Sequence, residues 1–425
     1  MSAQRSRGRE LVAYIDGEQV GLFTQNAAGA IEFVYGEDRR PEMTRLSISM
    51  PSIGGARYGN RVARPFLQGL LSDNPETLEA LAAAHHTSPG PMNLLRYVGR
   101  DTAGALQLLP PGVHSDDAAL RTGDVRYLDD FDDLIADVAS EAGDWVRNRD
   151  EIRWSLAGAQ PKVALYRAAD GRWGVPQDST PTTHILKPAA RGRRHDLNEF
   201  VTMRAARILG LDVADHEILT TERGDHVFIG QRYDRVVVDG ALRRLHQEDF
   251  AQALAVDPAY KYQIDGGPGV GDFARVLNAF PATVRETARM RLFEALVFSI
   301  ASVNTDAHAK NYSVIHYRTQ MRLAPLYDLG SNVLYQGGQP ITSAVTMGGE
   351  RVMDRIGRRE LLKVAKTLGL EAERAEGVIE RIRSGVAAAY LSARDDVLTD
   401  PAGSQYVAEL VDAIAARAKA RGWIG

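Results

Sequence analysis

The sequence predicts an α+β protein, β-rich over its first half and mostly α-helical after about residue 246. Three observations carry that expectation. Apolar runs flank Asp-Gly pairs in "LVAYIDGEQVGLF" and "KVALYRAADGRWGVP", the signature of tight hairpins. "LNEFVTMRAARILGL" has helical periodicity and stops at Gly210. "ETARMRLFEALVFSIASVN" is apolar around most of its circumference, as expected of a helix enclosed within a domain.

Taken in order, the first hairpin is followed by "AIEFVY" and "RLSISM", both read as strands. "NPETLEALAAAHH" reads as a helix with Asn74 as N-cap and Pro75 at its first position. His85 and His86 fall at its end, where imidazole complements the helix dipole and the metal-site reading is the weaker one. "LLPPGVHSDDAALRTGD" predicts a boundary or long loop over about 109–125. The second hairpin leads to "THILKPA", a strand stopped by Pro188, then the helix, then strands in "HEIL" and "HVFIGQRYD". Beyond the apolar helix, "YSVIHY" and "RLAPLYDL" flank Arg318, Thr319 and Gln320 as a small hairpin. The remainder reads as helices such as "ELLKVAKTLGL" and "YVAELVDAIAARAKARGW".

Composition narrows the function class. A chain of 425 residues has room for two or three domains. The formal charge of -4 argues against a surface covered in nucleic-acid-binding charge, so DNA contact would need a partner. With no cysteine, thiolate metal sites and cysteine nucleophiles are excluded. Neither a secretory signal nor a membrane span is legible, and the expected location is the cytoplasm.

The chemistry concentrates in "NTDAHAKNYSV", straight after the apolar helix. Asp306 and Asn311 are placed where a loop presents polar groups and a buried helix fixes them, although both residue types also form ordinary turns and caps. Asp328 follows 22 positions after Asp306, at the end of a probable strand that one hairpin could return to the same cleft. A buried aspartate there needs a partner, and magnesium is the usual one where phosphates are handled. Protein kinases space a catalytic aspartate and a metal-holding asparagine by five, followed by a magnesium-binding aspartate. Asp306 and Asn311 have that spacing. Lys187 in "HILKPA" is a lone lysine among apolar strand residues, either snorkelling from an edge or serving nucleotide phosphates, with Glu199 as its partner on the next helix. In "SLAGAQPKVAL", Gly158 with Ala157 and Ala159 lets backbone N–H groups approach anionic oxygens, though with no Walker A pattern it also reads as a plain turn. "GGPGVG" at 266–271 reads as a turn before a helix.

These stretches resemble the HipA-like serine/threonine kinases, toxins of bacterial type II toxin–antitoxin modules. "SLAGAQPKVAL", "PTTHILKP", "NEF", "ILGLDV", "QRYDR", "LHQEDF", "KYQIDGGPG", "NTDAHAKNYSV" and "LAPLYDL" occur in the family's order, and "LLSDNP" with "VGRDTAGALQLLP" resembles its first subdomain. The resemblance implies a two-lobed protein-kinase-like fold. Its expected parts are a β-rich subdomain over 1–120, a nucleotide-binding α/β lobe over 121–245 and an α-helical catalytic lobe over 246–425. Position by position it implies Asp306 as catalytic base, Asn311 and Asp328 as magnesium ligands, and Lys187 on the α and β phosphates of ATP. It further implies adenine hydrogen bonds from the backbone of Gln231 and Tyr233, and a nucleotide loop of Ala157, Gly158, Ala159, Gln160 and Lys162. His308 and Lys310 belong to the nucleotide-binding set, and Ser155 is the expected autophosphorylation site. Better-known members carry an acidic residue before the loop lysine; this chain has Pro161, which lacks an N–H. The resemblance also implies an aminoacyl-tRNA synthetase as substrate and a HipB-like helix-turn-helix antitoxin that carries the complex to operator DNA. Two other readings stand beside it. Asp306, His308, Asn311 and Asp328 could form a metal-dependent phosphoesterase site, or the chain could be a non-catalytic co-repressor acting through a DNA-binding antitoxin.

Overall fold

The computed structural model describes residues 9–112, 123–140, 154–158, 160–177, 179–189, 194–335, 338–397 and 401–423. The chain forms two compact units. One gathers Met1–Leu186, Arg232–Ala259 and Val314–Met321, the other Lys187–Gln231, Tyr260–Ser313 and Arg322–Gly425.

In the first unit, a five-stranded antiparallel sheet runs in the order Arg57–Tyr58, Ile31–Tyr35, Glu18–Gln25, Arg9–Ile15, Leu106–Leu109. Its first hairpin turns at Asp16 and Gly17, both at positive φ, as a two-residue turn matching strand twist requires. Phe23, Phe33 and Phe66 fill the face beneath, with Phe23 centred 4.5 Å from Phe33 and 6.4 Å from Phe66. The helix Pro75–Ala84 begins where Asn74 accepts from the Glu76 N–H at 2.9 Å, and His85 stacks on Tyr97. The strand expected at "RLSISM" is absent. Its backbone is captured by side chains instead: the Leu46 N–H donates to the Tyr35 hydroxyl, that hydroxyl donates to the Met50 carbonyl, and the Ile48 N–H donates to Glu248. Only an isolated bridge between Ser47 and Met50 remains. Of the loop expected over about 109–125, residues 113–122 lie outside the described residues. Val163–Arg167 and Trp173–Pro176 form the second Asp-Gly hairpin, edged by Val125–Tyr127 and by His184–Pro188.

The second unit is mainly helical, with His195–Ile208, Val270–Asn278, Ala282–Ala301, Arg358–Leu368, Ala372–Asp395 and Pro401–Ala420. Ala282–Ala301 is enclosed mainly in its second half: Leu292, Phe293 and every residue from Ala295 to Ala301 are buried, against Ala288 alone in the first half. Two hairpins complete the unit. His216–Thr220 with His226–Gln231 was legible; Thr342–Met347 with Glu350–Val352 falls in the tail read as helical. No described helix is long and apolar enough to cross a membrane.

The strand expected to carry Asp328 stops at Leu323, since Pro325 has no N–H to continue a ladder. Leu326 makes a single parallel bridge to Val213, and Asp328 lies two residues beyond, at φ +56.

Candidate active site

Lys187 is buried near the end of the strand His184–Pro188. Its ammonium donates to Glu199 at 2.7 and 2.9 Å and to Asp328 Oδ1 at 2.7 Å. Burial alone would lower the lysine's pKa. The carboxylates of Asp328 and Glu199 outweigh it and hold the group above its ordinary value, so the lysine stays charged. Glu199 reaches it from the first half of the helix His195–Ile208, and the residue before it anchors the Asp328 segment. Asn198 donates to the Ser331 carbonyl and accepts from the Ser331 N–H, each at 2.7 Å. The ion pair expected between Lys187 and Glu199 is therefore present, and Asp328 joins it. A non-glycine residue at positive φ is strained, and Asp328 is one; such strain concentrates where a side chain must be aimed.

Asp306 follows the long helix after Val303, itself at φ +59. Its N–H donates to the Asn304 side chain at 3.0 Å. Its carbonyl accepts from the His308 N–H at 2.8 Å and from Asn311 Nδ2 at 2.6 Å. The carboxylate is half-exposed; Oδ1 accepts from the Tyr262 hydroxyl and lies 3.7 Å from His308 Nε2. His308 and Lys310 are buried. The Lys310 carbonyl accepts from the Tyr327 hydroxyl at 2.9 Å, and that hydroxyl also pairs with Ser313 at 2.6 Å. Tyr327 thus ties the chain beside Asp328 to the chain beside Asn311.

Two oxygens suit a divalent cation. With Asn311 Nδ2 committed to the Asp306 carbonyl, the amide oxygen is the atom left to ligate, and Asp328 supplies a partly exposed carboxylate. Among the described residues no group of three or more histidine, aspartate or glutamate side chains is arranged to hold a metal. A donor set this small fits magnesium, which keeps waters and takes its other ligands from substrate phosphates.

The loop "SLAGAQPK" lies in the other unit and folds onto itself. Lys162 Nζ donates to the Ala157 carbonyl at 2.7 Å, and a Cβ on Gly158, at φ +100, would come within 2.5 Å of that nitrogen. Gln160 Nε2 is buried with no partner among the described residues, a donor in want of an acceptor. Such donors beside a backbone kept open by glycine fit an anionic ligand. Ala159 lies outside the described residues. Ser155 is 4% exposed, its hydroxyl donating to the Leu70 carbonyl at 2.7 Å and its N–H to the Asp101 carbonyl at 3.0 Å. In the "QRYDR" stretch, the Gln231 N–H is already spent on the Asp215 carbonyl at 2.8 Å, which leaves its carbonyl for a ligand. The Tyr233 hydroxyl donates to Gln247.

What holds the chain next to Tyr233 is not legible in the residues around it. Asp101, buried, meets Arg232, Arg235 and Arg244 at 3.2, 2.8 and 3.0 Å, and Asp234 pairs with Arg232 at 2.7 Å. Burial works to raise the pKa of Asp101, yet three guanidiniums hold it well below the usual carboxylate range. Tyr262 and Tyr327 were missed as well; each is a phenol whose role depends on a tertiary contact.

A mixed α+β chain with a strand lysine paired to a helix glutamate defines a protein of the protein-kinase-like class. Comparison with known proteins narrows it. The HipA-like C-terminal domain matches residues 154–390 and the HipA N-terminal domain residues 11–109, and the chain belongs to the HipA family. The Y4mE protein of Sinorhizobium fredii is 35% identical over 435 residues, covering 97% of this chain and 98% of that one. The serine/threonine-protein kinase toxin HipA of Shewanella oneidensis is 29% identical over 314 residues, 71% of this chain and 70% of its own. The fold is that of HipA in the solved complex of Shewanella oneidensis HipA, HipB and operator DNA. The TM-score is 0.79 at 24% identity, over 96% of each chain.

Proposed function

We propose that this chain is an ATP-dependent serine/threonine protein kinase acting as the toxin of a toxin–antitoxin module in the cytoplasm. The observation that carries the proposal is Lys187, ion-paired to both Glu199 and Asp328 in the same compact unit as the Asp306–Asn311 pair. A phosphoesterase has no use for a buried lysine held between two carboxylates. A kinase needs one to place nucleotide phosphates. Asp306 takes the acceptor hydroxyl proton, and Asn311 and Asp328 hold magnesium, which when bound neutralises charge on the phosphoryl oxygens. The loop Ala157–Lys162 and the backbone of Gln231 and Tyr233 bind the rest of ATP.

Family membership supports the finer assignments. The acceptor is an aminoacyl-tRNA synthetase, a HipB-like antitoxin restrains the kinase and links it to operator DNA, and phosphorylation of Ser155 switches it off. The test is transfer of labelled γ-phosphate from ATP with magnesium by the purified chain. Label should appear on protein and fall by about 100-fold or more in Asp306→Ala. Free phosphate released without any protein label would favour the phosphoesterase instead.

A further inference from the structure

We infer that Tyr262 is a specificity-determining residue, whose hydroxyl fills the acceptor-hydroxyl position on Asp306 Oδ1 and withholds that oxygen from water until a substrate hydroxyl displaces it. The inference rests on the reading of Asp306 as the base. It explains a motif that the rest of the site leaves unused, the glycine run of "KYQIDGGPG".

A catalytic base must leave its carboxylate open to the incoming hydroxyl. With Tyr262 against it the Asp306 side chain is still 54% exposed, so what the phenol takes from solvent is the one oxygen it touches, Oδ1. The Tyr262 hydroxyl donates to Asp306 Oδ1, as a serine or threonine hydroxyl would before transfer. The ring is held from the side by His308, edge-on at 4.8 Å, and the Lys261 ammonium lies 5.5 Å from its centroid.

The backbone that presents this ring is wound tightly. The Tyr262 carbonyl accepts from the N–H groups of Asp265 at 3.1 Å and Gly267 at 3.0 Å, closing a short 3-10 turn over Gln263–Asp265. A Cβ on Gly267 would stand 1.9 Å from the Tyr260 carbonyl oxygen, so no other residue allows that turn. Gln263 is fastened in turn by the Thr346 N–H at 2.6 Å and packs where a Cβ on Gly269 would lie. None of this is needed to start the helix Val270–Asn278, which is capped independently by Asp272 accepting from the Gly269 N–H at 2.8 Å. The run does more than turn the chain before a helix. It fixes Tyr262 on Asp306.

The consequence is a competition at one oxygen. Water, small and unanchored, loses to a tethered phenol, whereas an acceptor protein brings enough contact elsewhere to displace it. A hydrogen bond to a charged group is strong enough that its loss alters occupancy by about 10-fold or more.

The test uses the full chain with ATP and magnesium, and water as the acceptor. Tyr262→Phe, which deletes only the hydroxyl, should release inorganic phosphate about 10-fold faster than the parent. Adding Asp306→Asn to that variant should cancel the gain. With myelin basic protein as a generic acceptor, Tyr262→Phe should lower KM without lowering kcat. Tyr262→Leu serves as a second variant and should also raise phosphate release. The gate is wrong if both variants melt lower and release phosphate no faster, or if kcat falls at unchanged KM, which would make Tyr262 a residue that orients Asp306. If Asp306→Asn alone leaves phosphate release and protein labelling intact, the base assignment itself has failed and takes the gate with it.

Discussion

Lys187 Nζ lies 2.7 Å from Asp328 Oδ1 although 141 positions separate the two residues in the chain. The proposed phosphate-binding lysine is therefore in direct contact with the proposed magnesium-binding aspartate. With magnesium bound, Asp328 would serve as its ligand and Lys187 would serve the phosphate oxygens, so the two roles meet at one contact. Glu199 keeps the lysine from drifting, since it contributes two further contacts from a fixed helix.

Lys187→Met should abolish protein labelling and also unfold the chain more easily. Removing the ammonium deletes one partner of the buried ion pair with Glu199, a change that costs about 3–5 kcal/mol. Urea unfolding measures it. Adding Glu199→Gln should restore part of the stability but none of the activity. A single variant as stable as the parent would mean the pair is not desolvated as the structure has it.

Asp101 has three arginines against it, and Asp101→Ala should be among the most damaging substitutions in the chain. Arg232, Arg235 and Arg244 would lose their shared carboxylate, with Asp234 remaining to offset Arg232 and Arg235. The expected loss is about 3–5 kcal/mol, read from a urea or thermal melt. Because Arg232 and Asp234 flank Tyr233, the KM for ATP should rise as well. Stability lost with an unchanged KM would separate the network from nucleotide binding.

Much of this site was legible because its spacing is local. Asp306 and Asn311 are five apart, and Lys187 and Glu199 are twelve apart on a strand and the helix that follows it. What could not be read is what depends on tertiary capture. Glu248 and Tyr35 seize the backbone of residues 46–50 and turn an apolar, β-prone run into a loop. Asp101 meets arginines more than 130 positions away, and nothing in its local sequence marks it as buried. Tyr262 drew no reading of its own because the contact that gives it meaning lies 44 positions downstream. The strand ending at Asp328 was placed too far along for a local reason, the missing N–H of Pro325.

Ser155 is buried against Leu70, so its phosphorylation requires the contact to open first. Ser155→Ala should remove self-labelling at this position while leaving transfer to other proteins. It loses one hydrogen bond, about 1 kcal/mol. Ser155→Asp places charge where a hydroxyl was enclosed and repels ATP phosphates, so ATP affinity should fall. Isothermal titration with a non-hydrolysable ATP analogue checks it, and equal affinity in the aspartate variant would rule out charge repulsion as the switch.

Stability should fall as pH drops from about 6.5 to about 4, with His246 as a principal cause. Burial pushes its pKa down to about 4, and the neighbouring His316 pushes the same way. Its ring lies 5.8 Å from that of His316, with Nε2 paired to the Leu46 carbonyl at 2.8 Å and Nδ1 buried with no hydrogen-bond partner among the described residues. In the unfolded chain the same imidazole titrates near 6.5. Between those values the unfolded state binds a proton that the folded state refuses, so stability present above pH 6.5 is lost on the way down and levels off below 4. A displacement of this size corresponds to ~3 kcal/mol. His184 and His216 are likewise held near 4 by burial and act in the same window. Asp196 and Glu294, raised by burial, work in the opposite sense, which makes the raw slope a sum of several groups. The decisive comparison is therefore His246→Gln, whose amide can still donate to Leu46 but carries no titratable proton. Urea unfolding at pH 7, 6 and 5 should show a shallower loss in the variant than in the parent. Parallel curves would mean that this histidine is solvated or already protonated in the folded chain, contrary to its enclosure beside His316 and Glu248.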